Sequence, residues 1–123
     1  MRKYPEPVTD VRASRHAHPR ETPAQAHVAL MADLFGMLSD RSRLRILLRL
    51  RASGEACVTE LAGSTGITES AVSHALRLLR AHGIVDTRRD GRWIYYTLVD
   101  PHVELLLDAT VEHLEREHGT SLR

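Results

Sequence analysis

The stretch Thr68-Glu-Ser-Ala-Val-Ser-His-Ala-Leu-Arg-Leu-Leu-Arg80 decides how the rest of this 123-residue sequence is read. At 3.6 residues per turn, Val72, Ala75, Leu76 and Leu79 share one face of a helix, while Ser70, Ser73, His74 and Arg77 share the opposite one. The apolar side asks for a core. The polar side carries hydroxyls, an imidazole and a guanidinium, with Glu69 as its one carboxylate near the start, and such groups suit base edges and phosphates in a DNA groove. A solvated amphipathic helix has the same periodicity, so the flanking segments carry the decision.

Composition narrows the choices. The length suits one domain of ordinary size. Aromatic residues are few (Tyr4, Phe35, Trp93, Tyr95 and Tyr96), so a core must be filled by Leu, Ile, Val and Ala, as in a helical protein. Cys57 stands alone, which excludes an internal disulfide and suits a reducing cytoplasm. The start, Met1-Arg-Lys-Tyr-Pro-Glu-Pro7, has no apolar run, and no stretch is apolar for long enough to cross a bilayer. The expectation is a cytoplasmic protein with no membrane partner. Net charge is +1 but unevenly placed: ten arginines face six acids between Ser39 and Val99, whereas six acids face two arginines from Asp100 onward. Such a split lets one surface meet a polyanion while another collects cations or a basic partner.

In chain order, residues 1–23 hold Pro5, Pro7, Pro19 and Pro23 without apolar periodicity and read as a flexible arm, in which His16 and His18 are either spare metal donors or inert. Val28, Met31, Leu34, Phe35 and Leu38 recur at helical spacing, predicting a first helix over 24–38. Ser39-Asp40 is an N-cap signal for a second helix through Arg41-Ser-Arg-Leu-Arg-Ile-Leu-Leu-Arg-Leu-Arg51, which Gly54 breaks. Val58 to Ser64 forms a short helix with Leu61 and Ala62 inward, Gly66 ends it, and Thr68 opens the helix quoted first. Two short helices about a tight Gly-containing turn, the second with a polar outer face, make a helix-turn-helix. Gly83 closes that second helix. Two β-rich runs, Ile84 to Arg89 and Arg92 to Leu98, flank Asp90-Gly91, predicting a hairpin whose two central turn residues both take positive φ. Arg88, Arg89 and Arg92 ring its tip, either as a soluble turn or as a wing that tracks the sugar-phosphate backbone. A last helix runs from Pro101 to His118 with Leu105, Leu106, Ala109 and Leu114 as its apolar stripe, leaving 119–123 as a tail. The chain is thus mainly α with a small β-hairpin wing, in one domain over 24–118.

Four phrases, Leu38-Ser-Asp-Arg-Ser-Arg-Leu-Arg-Ile-Leu-Leu48, Cys57-Val-Thr-Glu-Leu-Ala62, Glu69-Ser-Ala-Val-Ser-His-Ala-Leu-Arg-Leu-Leu79 and Asp90-Gly-Arg-Trp-Ile-Tyr-Tyr-Thr-Leu98, resemble the ArsR/SmtB family of winged-helix metal-sensing repressors. The resemblance covers roughly residues 30 to 118. It implies a homodimer through the first and last helices, two recognition helices set for palindromic operator DNA, and a transcriptional repressor whose grip on DNA a metal weakens. In that setting Ser70, Ser73, His74 and Arg77 enter the major groove, with Arg88, Arg89 and Arg92 on the backbone.

Where the metal sits differs among members of the family. One family site uses a Cys-x-Cys pair, but Cys57-Val58-Thr59 leaves one thiol, so Cys57 reads as a small buried residue. Another lies on the last helix as Asp-x-His followed by His eleven residues later, and Asp100-Pro-His102 with His113 match it. Eleven residues make nearly three turns, which puts His102 and His113 on one face yet about 16 Å apart along the axis. One ion cannot touch both in one chain. Two such helices crossing antiparallel about a two-fold axis near Leu107 bring His102 of one copy to His113 of the other, in two equivalent sites. The family usually places a donor three residues after the second His, where this chain has Arg116, and a guanidinium cannot ligate. Glu117, about 40° from His113 on the wheel, takes the fourth place, with His118 at about 140° as the alternative. Two imidazoles and two carboxylates suit Zn2+, with Co2+ close, while Ni2+ would draw further ligands from His16, His18 or His118. A regulator of the same fold that has lost its metal site is the rival that Arg116 raises. No catalytic constellation or Gly-rich phosphate loop is present, so neither an enzyme nor a small organic substrate is expected.

Overall fold

In the computed structural model, which describes residues 20–119, the elements run α1 (Gln25–Leu38), α2 (Arg41–Ser53), β1 (Glu55–Cys57), α3 (Val58–Thr65), α4 (Glu69–Ala81), β2 (Val85–Asp90), β3 (Trp93–Leu98) and α5 (Pro101–His118). Most of the expected arm, with His16 and His18, and residues 120–123 of the tail lie outside the described residues. Contacts divide the chain into residues 1–32 and 33–123. In the first unit, residues 25–32 form the opening turns of α1 with their side chains exposed. The core described below belongs to the second.

Local capping decides where the helices begin and end. Asp40 accepts the Arg43 N–H at 2.9 Å ahead of α2, and Thr68 Oγ1 accepts the Ala71 N–H at 3.1 Å ahead of α4, each satisfying a donor the first turn would otherwise orphan. At the far end of α4 the Ile84 N–H reaches the Leu79 carbonyl and the Gly83 N–H the Arg80 carbonyl. Gly83 takes φ 71°, which completes a Schellman closure that a side chain at this position would strain.

These ends aim the apolar stripes inward. Val72, Leu76 and Leu79 of α4, Ile46, Leu47 and Leu50 of α2, Leu61 of α3, and Val103 and Leu107 of α5 form one cluster with Ala56 and Ile84. No charged or polar residue is buried among the described residues. Leu34 and Leu38 of α1 pack against the cluster as expected and Met37 is buried, whereas Phe35 stays 53% exposed.

The sheet departs from expectation twice. It has three strands, antiparallel in the order β1-β3-β2, because Glu55 pairs with Thr97 and Cys57 with Tyr95. A strand of three residues is too short to show alternation in a sequence. At the hairpin Asp90 pairs with Trp93, so the turn residues are Gly91 and Arg92 rather than Asp90 and Gly91. Only Gly91 has positive φ, at 64°, as in a turn with glycine at its first central position. The architecture is the expected winged helix-turn-helix, mainly α, with β2 and β3 as the wing.

The stripe on α5 is also corrected. Val103, Leu107 and Val111 are its buried line and Leu106 is half-buried, whereas Ala109 and Leu114 are exposed and Leu105 is 64% exposed. The helix carries two apolar faces, and the one built on Val103, Leu107 and Val111 fits the chain's own core. Arg51 of α2 fastens it there, with Nε 2.5 Å from the Asp108 carboxylate.

Truncating the centre of the α4 stripe tests this packing. Leu76→Ala removes a fully buried side chain and lowers unfolding free energy by about 2–5 kcal/mol, seen as a lower urea midpoint at unchanged slope. A loss below about 1 kcal/mol would mean that this seam is not the centre of the core.

Candidate nucleic-acid interface and metal-ligand residues

Burial of one side of α4 leaves Ser70, His74 and Arg77 exposed in a row on the other. Ser73, about 100° from Val72, lies on the flank and is half-buried. It lines a cavity of about 300 Å3 shared with Thr59 at the start of α3 and with Arg92, Trp93, Ile94 and Tyr96 of the wing. The four residues expected in the groove therefore divide, three outward and one toward the wing.

The three wing arginines also separate. Arg88 reaches across the middle strand to Glu55 of β1, with Nη2 to Oε1 at 2.6 Å and Nε to Oε2 at 3.1 Å, and its guanidinium stands 4.8 Å from the centre of the Tyr95 ring. These hydrogen bonds hold the Glu55 carboxyl below its ordinary range and raise the Arg88 guanidinium above its own. Arg88, expected on the DNA backbone, thus has a partner within the sheet, and its two-point geometry braces the wing. Arg89 donates to the Gly91 carbonyl at 3.5 Å, and Arg92, in the turn itself, borders the cavity. Arg80 and Asp86, 4.0 Å apart and both exposed, add little.

On α5, Asp100 is the N-cap: its Oδ1 accepts the His102 N–H at 2.9 Å and the Val103 N–H at 3.2 Å. That oxygen serves the helix, and the carboxylate keeps its second oxygen for other work. His102 is almost wholly exposed, with Nδ1 3.8 Å from Asp100 Oδ1. His113 and Glu117 are exposed further along. Among the described residues no three His, Cys, Asp or Glu side chains gather to hold a metal ion within one chain. Asp100 and His102 stand at the start of α5, and His113 and Glu117 about three turns further along it. Cys57 is buried ahead of α3, its N–H donating to Glu60 Oε1 at 3.0 Å, in keeping with the small buried residue expected.

Thr59, Trp93 and Glu55 escaped sequence reasoning. For Trp93 a signal existed: the chain's one tryptophan directly follows the turn, where an aromatic has little core to fill.

Comparison with known proteins places these features. A family model described as bacterial regulatory protein, arsR family, matches residues 40–87, from the cap of α2 into the wing. The chain is similar to the transcriptional repressor SmtB homolog of Synechocystis sp., 47% identical over 85 residues, which cover 69% of this chain and 64% of that protein. It is similar to the HTH-type transcriptional regulator NmtR of Mycobacterium tuberculosis, 44% identical over 105 residues, 85% of this chain and 84% of that one. Among solved structures the crystal structure of the AntR antimony-specific transcriptional repressor superposes with a TM-score of 0.75 at 34% identity, covering 82% of this chain and 91% of that one.

The wing brace has a pH signature. Because Glu55 titrates lower when folded than when unfolded, the pair stabilises the fold above the ordinary carboxylate value of 4.5, and this is lost as pH falls through the lower folded value. Glu55→Gln therefore melts below wild type near neutrality, and the gap closes in acid. Melting curves whose separation persists at the lowest pH would refute the brace.

Proposed function

The chain belongs to the ArsR family of bacterial regulatory proteins, and on that premise we propose that it is a transcriptional repressor released from operator DNA by a divalent transition metal. It is a DNA-binding regulator and not an enzyme. The observation that carries the proposal is the exposed row Ser70, His74 and Arg77 on a helix whose opposite side is locked in the core. In the homodimer two such rows enter successive major grooves about one helical turn apart, with Ser73, Arg89 and Arg92 toward the backbone and Arg88 holding the wing in place.

Dimerisation through α1 and α5 is supported by what each leaves uncovered. Phe35 on α1 is exposed, and on α5 Leu105 and Ala109 occupy the outward side, within about 80° of His102 and His113 on the wheel. Two copies of α5 crossing there cover this apolar surface and complete two sites, each from Asp100 and His102 of one copy and His113 and Glu117 of the other. The donors are imidazole and carboxylate, and the one thiol is buried elsewhere, so Zn2+ fits best with Co2+ or Ni2+ as alternatives. The ion favours the dimer conformation that grips DNA less well. A coupling of about 1–3 kcal/mol changes operator affinity roughly 5–150-fold. Arg116, where the family pattern has a donor, favours a second reading: the same fold with a site that has lost metal.

Gel shifts on DNA upstream of the chain's own coding region, titrated with zinc, cobalt and nickel, separate these readings. Arg77→Ala costs about 1–3 kcal/mol of operator affinity. His102→Ala and His113→Ala bind operator as wild type does but are no longer released by metal. Equilibrium dialysis in which the wild-type dimer retains no zinc, cobalt or nickel would sink the metal reading and leave the repressor.

A further inference from the structure

The cavity between α4 and the wing has no role in groove reading or metal binding. Its position is its first clue. On the DNA-binding reading, a strand passing from the groove at α4 to the wing runs beside this cavity, which Ser73 of α4 and Arg92 of the wing both border. Its chemistry is the second. Arg92 brings a fixed positive charge, Thr59 and Ser73 bring hydroxyls, and none of the residues lining it is acidic. Asp90, Trp93's cross-strand partner, is not among them. The third is Trp93, a residue 53% exposed that lines the same cavity, so an apolar surface and hydrogen-bond donors meet in one small space. At about 300 Å3 the cavity is at the bottom of the range for small-molecule pockets, and Ser73, half-buried in its wall, is set back from the base-reading row.

Building on the DNA-binding reading above, we propose that this cavity seats one sugar-phosphate unit of the operator backbone in each half-site. The phosphate lies on Arg92 and the hydroxyls of Thr59 and Ser73, and the deoxyribose packs against the Trp93 ring. Such a seat has direct consequences. It fixes the angle between α4 and the wing on the DNA, and it assigns Ser73 to register rather than to sequence choice.

Trp93 is the chain's one tryptophan, so its emission reports the cavity in the unaltered chain. An operator duplex selected by the wild-type protein from a random pool is titrated against both emission and gel shift. Emission changes in step with binding, and ethylating one backbone phosphate per half-site abolishes both. The double variant Thr59→Val with Ser73→Ala binds more weakly, keeps its ranking of operator sequences, and loses its sensitivity to that ethylation. Arg92→Gln reduces the slope of log affinity against log salt by about 0.9 per site. The inference is overturned if operator binds with Trp93 emission unchanged and the double variant binds like wild type, and equally if inorganic phosphate alters the emission while operator does not. Either result leaves DNA binding intact, whereas a wild-type protein that selects no duplex removes the reading on which the seat rests.

Discussion

Val72, Leu76 and Leu79 of α4 lie in one apolar cluster with Ile46, Leu47 and Leu50 of α2 and Leu61 of α3, closed to water. Each fully buried side chain of this kind contributes about 1.5–3 kcal/mol, so the seam fixes the rotation of α4 about its own axis. A turn of one residue, about 100°, would carry His74 into the core and Leu76 into water. What α4 presents outward, and in the proposed function to DNA, follows from that rotation. Ser70, His74 and Arg77 face outward because their opposite neighbours cannot.

The last helix reaches the same cluster. Val103 and Leu107 enter it, and Asp108 is tied to Arg51 on α2, the helix that carries much of the packing beneath α4. In the proposed switch, a displacement of α5 within the dimer therefore acts on the core that orients α4. Asp100 caps α5 through Oδ1, the oxygen that also stands 3.8 Å from His102 Nδ1, so the start of this helix and the proposed donor pair share one side chain.

The wing needs help of a different kind. An isolated two-stranded hairpin is marginally stable, and β2 and β3 gain a third strand from Glu55 to Cys57 and a clamp from Arg88 to Glu55 over Tyr95. Glu55 and Arg88 stand 33 positions apart in the chain. At the turn of the same hairpin, Arg92 lines a cavity that Ser73 of α4 also lines.

The amino-acid sequence alone determined what depends on a few neighbouring residues. Asp40, Thr68 and Pro101 mark helix starts, Gly54, Gly66 and Gly83 mark their ends, and the period of the apolar residues separates helices from the hairpin, because caps, turns and amphipathic faces are satisfied within one or two turns of chain. Tertiary structure decided the rest. Three residues at Glu55 became a strand only because Thr97 and Tyr95 lay open to pair with them. Arg88 found its partner across the sheet, the two apolar faces of α5 were sorted by fit to a core built from other helices, and Ser73 was turned toward the wing by the packing of its neighbours. Each of these pairs groups distant in the chain, and no local pattern records which distant surface will be there to meet them.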